Sequence, residues 1–280
     1  MIPNPSFMIS RTIPSTGETI PVIGMGTYST FDTNNKTAID SLANVLNIFY
    51  QGGGRLLDSS PMYGNAERMV GMLTGKAPFA NELFYATKVW TRGLEHGIRQ
   101  MEHSMELMGR KVIDLMQIHN LTDWKTHLPV LREWKEAGKI RYLGITHYTS
   151  GSYDDLEKVM RTEPIDFVQF NYSMLERDAE DQLLSVAAEL GVATLINRPF
   201  GQGRLFAHLK NEPLPGWAAD LGIESWGAFL LKYIIGHPAV TCVIPASSNA
   251  KHMADNMKAG EGTLPDERAR KKMLDFVWAL

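Results

Sequence analysis

A (β/α)8 barrel in one domain, residues 1–280, with a short N-terminal hairpin and a C-terminal helix, is the fold this sequence predicts. Three observations carry the prediction. Eight short apolar runs recur along the chain. They are near-continuous rather than alternating, as parallel strands buried on both faces are. Helical stretches separate them, and no break in composition marks a second domain. Barrels of this kind commonly run to about 250 residues as one unit, so the length fits.

The elements follow in order. Residues 11–20 place β-leaning flanks around Ser15-Thr16-Gly17, the pattern of a short hairpin. The apolar runs then fall at 22–26, 55–58, 83–88, 112–119, 142–145, 167–170, 192–196 and 240–244. Leu128, Leu131 and Trp134 share a helical face before Gly138, and Leu183, Leu184, Ala187 and Leu190 share another before Gly191. Glycine just past such a face ends a helix. Gly52-Gly53-Gly54 precedes a strand and is likewise read as a helix end, not a phosphate cradle. A doubly wound sheet is the alternative architecture. Its Gly-x-Gly-x-x-Gly turn is missing, because Gly24-Met25-Gly26 runs on into Thr27-Tyr28-Ser29-Thr30. Residues 265–280 close the chain as a helix, with Phe276, Val277 and Trp278 available for docking.

Composition narrows the class. With 28 basic against 31 acidic residues the formal charge is −3, and no long basic run suggests a nucleic acid or other polyanion. The longest apolar stretch, residues 228–231, is cut by Lys232, far short of the ~20 residues that cross a bilayer. Met1-Ile2-Pro3-Asn4-Pro5-Ser6 shows no basic segment leading into an apolar run. Cys242, the single cysteine, sits among Val240, Thr241, Val243 and Ile244 and reads as a buried thiol in a reducing compartment. The expectation is a soluble cytoplasmic protein. His96, His103 and His127 lack paired ligand spacing, so no metal is expected.

Chemistry concentrates at the strand ends. Asp58 and His119 close their runs, Lys88 is near the end of its own, and Tyr63 is on the loop leaving the second. The C-terminal strand ends of a barrel share one mouth. Singly, each residue has a duller role: a capping aspartate, a snorkelling lysine, a hydrogen-bonded histidine, a packing tyrosine. Together they divide a task. A phenol with a reference pKa of about 10 is a poor acid at neutral pH. An adjacent ammonium favours the phenolate and should lower that value, while Asp58 keeps the lysine charged. With His119 near the substrate oxygen, Tyr63 could protonate an oxyanion as hydride arrives at carbon. Lys88 could instead be the Schiff-base nucleophile of a barrel aldolase.

The four residues, with Gly24-Met25-Gly26-Thr27, Leu57-Asp58-Ser59-Ser60-Pro61-Met62-Tyr63-Gly64, Ala86-Thr87-Lys88-Val89-Trp90 and Leu143-Gly144-Ile145-Thr146, resemble the aldo-keto reductases from about residue 10 to residue 260. The resemblance implies NAD(P)H-dependent reduction of small aldehydes or ketones, with Tyr63 as acid assisted by Lys88, Asp58 and His119. It implies a nicotinamide across the barrel mouth, bordered by Gly26, Thr27 and Asp58. Thr146 and His147 stand where a Ser-Asn pair contacts the carboxamide, with Gln169 as the third contact. Asn197, Arg198, Pro199 and Phe200 stand where a stacking aromatic is common, and a guanidinium plane could substitute in part. Gly203 and Ile244 belong to the same expected cofactor track. Tyr28, Trp90 and Trp124, with His119, would line the substrate side, under a cover formed by residues 201–208. A redox-sensing module that keeps the cofactor and turns over slowly is a further reading.

The coenzyme choice rests on the segment after the last strand. Ser247, Ser248 or Asn249 would cap the next helix, whose start suits a phosphate. In the family a lysine often follows Ile-Pro and an arginine stands six positions on. Here those positions are Ala246 and His252, with Lys251 adjacent and Asn256 where adenine is contacted. The resemblance therefore implies NADPH over NADH by a reduced margin, with NADH possible.

Overall fold

The computed structural model describes residues 8–280, so the segment read above for a leader lies outside the described residues. The hairpin comes first: β1 (Ser10–Thr12) pairs antiparallel with β2 (Thr19–Pro21), Arg11 opposite Ile20. Then β3 (Met25–Gly26) leads to α1 (Lys36–Gln51), β4 (Leu56–Asp58) to α2 (Ala66–Thr74), and β5 (Phe84–Val89) to α3 (Leu94–Leu107). Next, β6 (Ile113–His119) leads to α4 (Trp124–Glu136) and β7 (Ile140–Thr146) to α5 (Tyr153–Thr162). After β8 (Phe167–Asn171) come α6 (Asp178–Asp181) and α7 (Leu183–Leu190), and after β9 (Ala193–Asn197) come α8 (Arg204–His208) and α9 (Trp226–Ile235). The chain closes with β10 (Cys242–Val243), α10 (Ala250–Lys258) and α11 (Glu267–Trp278).

Strands β3 to β10 pair in sequence order and all in parallel, and bridges from Ile23 to Val243 and Gly26 to Ala246 join the two edges. The result is the expected eight-stranded (β/α)8 barrel. Its seam differs from the sequence expectation, since two five-residue runs yield strands of only two residues each. Close approach explains the glycines there. A Cβ on Gly26 would lie 2.9 Å from the Ile244 carbonyl oxygen, and one on Gly24 3.0 Å from Ile244 Cγ2. Only a residue without a side chain lets the edges meet.

Two apolar layers hold the structure. Inside the barrel, Leu56, Phe84, Leu115, Tyr142, Phe167 and Leu195 pack with Ile13 and Ile20 of the hairpin. Tyr142 lies 5.5 Å from Phe167 and 5.8 Å from Phe84, centroid to centroid. These are residues from the starts of their strands, so the hairpin plugs the N-terminal end. Arg11 fastens it there by donating to the carbonyls of Ile235, His237, Pro238 and Val240. Outside, helical faces cover the strands. Cys242 is free and fully buried in the inner layer, and burial pushes its thiol up.

The expected glycine ends are present: α1 stops at Gly52, and α7 at Gly191 with φ 66°. Helix α4 stops at Ala137, and Gly138 follows with φ 70°. Two apolar assignments need correction. Leu190 is 38% exposed and Trp278 56% exposed. Both sit on a last helical turn, where periodicity assigns a face but the strands no longer lie beneath it. Met273, Leu274 and Val277 dock α11 instead, and Phe276 packs edge-on against Trp217. Helix α9 is buried from Gly227 to Ile235, with Lys232 Nζ donating to the carbonyls of Glu261 (2.6 Å) and Thr263 (3.0 Å). Among the described residues no helix is long and apolar enough to cross a membrane.

Candidate active site

The C-terminal strand ends open into a cavity of about 630 Å³. Its floor is the pair predicted from β4 and β5. Lys88 Nζ donates to both oxygens of Asp58, at 2.8 and 2.7 Å, and to the Ser59 carbonyl at 2.7 Å. Parallel register explains the meeting: Asp58 pairs with Ala86, so Lys88 extends one inward position beyond it. Asp58 also accepts from Gln117 (3.2 Å) and Gln169 (3.3 Å), so amides from β6 and β8 brace the carboxylate. Burial alone would pull the Lys88 ammonium down; Asp58 and Tyr63 more than reverse this, and it stands above the ordinary lysine value.

Tyr63 leans over this floor, with Lys88 Nζ 5.2 Å from its ring centroid. The expected lowering of the phenol does not occur. Burial pushes Tyr63 up and outweighs the pull of Lys88, because removing water disfavours the phenolate before the lysine can favour it. His119 closes β6 with its ring edge-on to Tyr63, centroids 5.8 Å apart. Burial, then the charge on Lys88, hold the imidazole down to about 3, so it is neutral. Ser60 Oγ accepts from the Met62 amide (3.2 Å) and lies 2.9 Å from His119 Nδ1. The serine hydrogen is free to go to Nδ1, which leaves the ring hydrogen on Nε2.

Most of the expected neighbours line this cavity. Gly26 ends β3, Thr27 and Tyr28 follow it, and Tyr28 meets the Tyr63 ring edge-on at 5.1 Å. Thr146 and Gln169 come from β7 and β8. Asn197 ends β9, Arg198, Pro199, Phe200 and Gly203 follow it, and Ile244 and Ala246 follow β10. The segment 201–208 folds as a 3-10 turn and α8, with Gly203 at the cavity and Leu205 buried.

Other assignments are corrected. His147 does not face the cavity: its Nδ1 accepts from the Thr149 amide (3.2 Å) and its Nε2 meets Ser152 Oγ (3.2 Å), so both ring nitrogens serve its own loop. Tyr148, stacked on His147, lines the wall in its place. Trp90 stands beside His119, centroids 6.3 Å apart, but is 43% exposed and outside the lining. Trp124 packs against the core as the first residue of α4. Beyond the lining too, Asn249 is the cap of α10, its side chain accepting from the amides of Lys251 (2.9 Å) and His252 (3.3 Å). Ser247 is buried against the Asn249 backbone, Ser248 is exposed, Lys251 and His252 are exposed beside the cap, and Asn256 is buried.

Sequence reasoning missed Ser29, Thr30, Met62, Asn120, Tyr148 and Gln202 in the lining. Asn120 was within reach of the strand-end rule, since it directly follows His119. Ser29, Asn120, Arg198 and Gln202 all have φ between 52° and 58°, a strained state for side chains that concentrates at working sites. Glu67, also missed, is buried behind Lys88, accepting from Thr87 and, at 3.1 Å, from Ser104.

Fold and cavity together are those of a (β/α)8 barrel enzyme. The sequence model of the aldo/keto reductase family matches residues 22–272, and the chain belongs to that family. It is 27% identical over 268 residues to the aldo-keto reductase str7 of Strobilurus tenacellus, covering 81% of this chain and 79% of that one. It is 26% identical over 240 residues to the NADH-specific methylglyoxal reductase of Escherichia coli (strain K12), covering 73% of this chain and 71% of that one. The aldo/keto reductase of Klebsiella pneumoniae, solved in complex with NADP and acetate, superposes with a TM-score of 0.80 at 19% identity, covering 95% of this chain and 94% of that one.

Proposed function

We propose that this chain reduces small aldehydes or ketones to alcohols with a nicotinamide cofactor, NADPH before NADH. The observation that carries the reading is the buried Lys88–Asp58 pair beneath Tyr63, with a neutral His119 at the same mouth. The cavity fits a ligand rich in amide and hydroxyl donors. Asn120 Oδ1, Gln169 Oε1 and Asn197 Oδ1 are buried oxygens on lining residues with no hydrogen-bond partner. Gln169, Thr146 and Asn197 would hold a nicotinamide carboxamide and its ribose.

Hydride is what such a cofactor supplies when bound. The side chains do the rest. His119 Nε2–H donates to the carbonyl oxygen and orients it. Tyr63, kept protonated by burial, transfers its phenolic proton to that oxygen as negative charge grows there. The phenolate left behind faces Lys88, whose fixed ammonium stabilises it without reorganisation. Asp58 keeps that ammonium in place. Lys88, paired with Asp58 and held above the ordinary lysine value, stays an ammonium with no lone pair to offer a Schiff base.

The segment into α10, with Ala246 and His252 at the positions of two fixed charges and Lys251 adjacent, supports a modest NADPH preference. The Escherichia coli relative is an NADH-specific methylglyoxal reductase, which supports keeping NADH as a usable coenzyme. Tyr63→Phe tests the reading. Turnover of an aldehyde panel with NADPH should fall by roughly 10²–10⁴, while NADPH binding, read by fluorescence quenching, is retained. Near-parental turnover would remove Tyr63 as the acid, and negligible turnover by the parent chain would favour a slow cofactor-binding module.

A further inference from the structure

Arg198, expected above beside the nicotinamide, leans its side chain on Tyr148, and its reading here rests on the reductase assignment above while naming the substrate class. The residue follows β9 with φ 52°, so its backbone is held in a left-handed state. Its guanidinium carbon lies 4.7 Å from the centre of the Tyr148 ring, on the loop after β7. Strand β8 lies between β9 and β7 in the sheet. The side chain therefore reaches across one strand, away from β10 and α10, and toward the side of β6, which carries His119. The helix start read above as suiting the cofactor's phosphate is that of α10.

The neighbouring arginines are neutralised: Arg204 by Glu176 (2.8 Å) and Arg177 by Glu180. The second oxygen of Glu176 accepts from Asn171 Nδ2 at 2.9 Å. Arg198 is half-buried, yet among the described residues its guanidinium makes no hydrogen bond and no ion pair. It lines the main cavity and also the adjoining one of about 330 Å³, where Glu176 and Asp178 sit. A planar guanidinium braced on an aromatic face, with its donors unused, matches a carboxylate by two parallel hydrogen bonds. We infer that Arg198, held by Tyr148, receives a carboxylate on the substrate, so that the preferred carbonyl compounds are oxo acids.

The test compares 4-carboxybenzaldehyde with its neutral methyl ester, using NADPH, in the parent chain, Arg198→Met and Arg198→Lys. Arg198→Met should lower kcat/KM for the acid by roughly 10- to 100-fold, the loss of a charge-assisted pair, and mainly through KM. The ratio of acid to ester kcat/KM carries the reading, and circular dichroism against the parent chain shows that the variant is folded. Arg198→Lys should recover part of the loss, since it keeps the charge but not the fork. Equal losses on both aldehydes with weaker NADPH binding would assign Arg198 to the cofactor and overturn the inference, as would unchanged kinetics on both. A parent chain that reduces the ester but not the acid refutes this inference alone. A parent chain that reduces neither takes the reductase reading with it.

Discussion

Lys88 is a cation with 1% of its surface exposed, and it survives there only because Asp58 and the Ser59 carbonyl replace its water. Removing one member of such a pair leaves a buried charge alone, at a cost of about 3–5 kcal/mol. Lys88→Met and Asp58→Asn should therefore each destabilise the chain. The double variant should lose less than the two singles summed, by about 1–3 kcal/mol. Urea unfolding of the four proteins measures this cycle, and strict additivity would show that the pair is not coupled. At the same scale, Tyr63 illustrates two opposed effects on one group. Its proton is retained by burial, and Lys88 acts on the charge that appears after transfer.

Among the elements, α10 depends on one side chain for its start. Asn249 accepts from two of the amides that a helix leaves without partners at its first turn. Asn249→Ala should cost roughly 1 kcal/mol of stability, readable in chemical denaturation, and a loss near zero would mean that solvent satisfies these amides equally well. The same two amides are what a phosphate would take from a helix start, so the cap and such a ligand compete for one set of donors. The seam between β3 and β10 is the complementary case. Short strands suffice there because glycine brings the edges within reach.

For the molecule as a whole, the buried His119 and the half-buried His237 contribute to the response to acid. Burial holds His119 down to about 3 and His237 down to about 4, against an ordinary value of 6.5. Unfolding releases both rings to water, so between pH 6.5 and those lower values the unfolded chain binds more protons than the folded one. Stability must then rise with pH across that window and be lost as pH falls through it. Unfolding free energies should drop between pH 7 and pH 5, before most carboxylates titrate. His119→Asn and His237→Asn should each flatten the slope. A parent chain equally stable at both values would show that the rings are already solvated.

The barrel and the four residues at its mouth were legible because both follow from short-range pattern. Apolar runs with helical stretches between them define a repeated unit, and the end of each run places Asp58, Lys88 and His119 on one rim. The glycines just past α1 and α7, Gly53 and Gly191, are equally local, since their positive φ suits a residue without a side chain. Direction on the loops is different. Whether His147 or Tyr148 turns inward depends on Thr149 and Ser152, which occupy both nitrogens of the histidine. Trp90 and Trp124 were placed by position alone: Trp124 packs against the core, and Trp90 stays beside His119 but outside the lining. The balance at Tyr63 was also beyond reach, because charge partners can be read from residue types but the loss of water cannot. Desolvation is a property of everything that surrounds a group, and that exists only once the chain has closed around it.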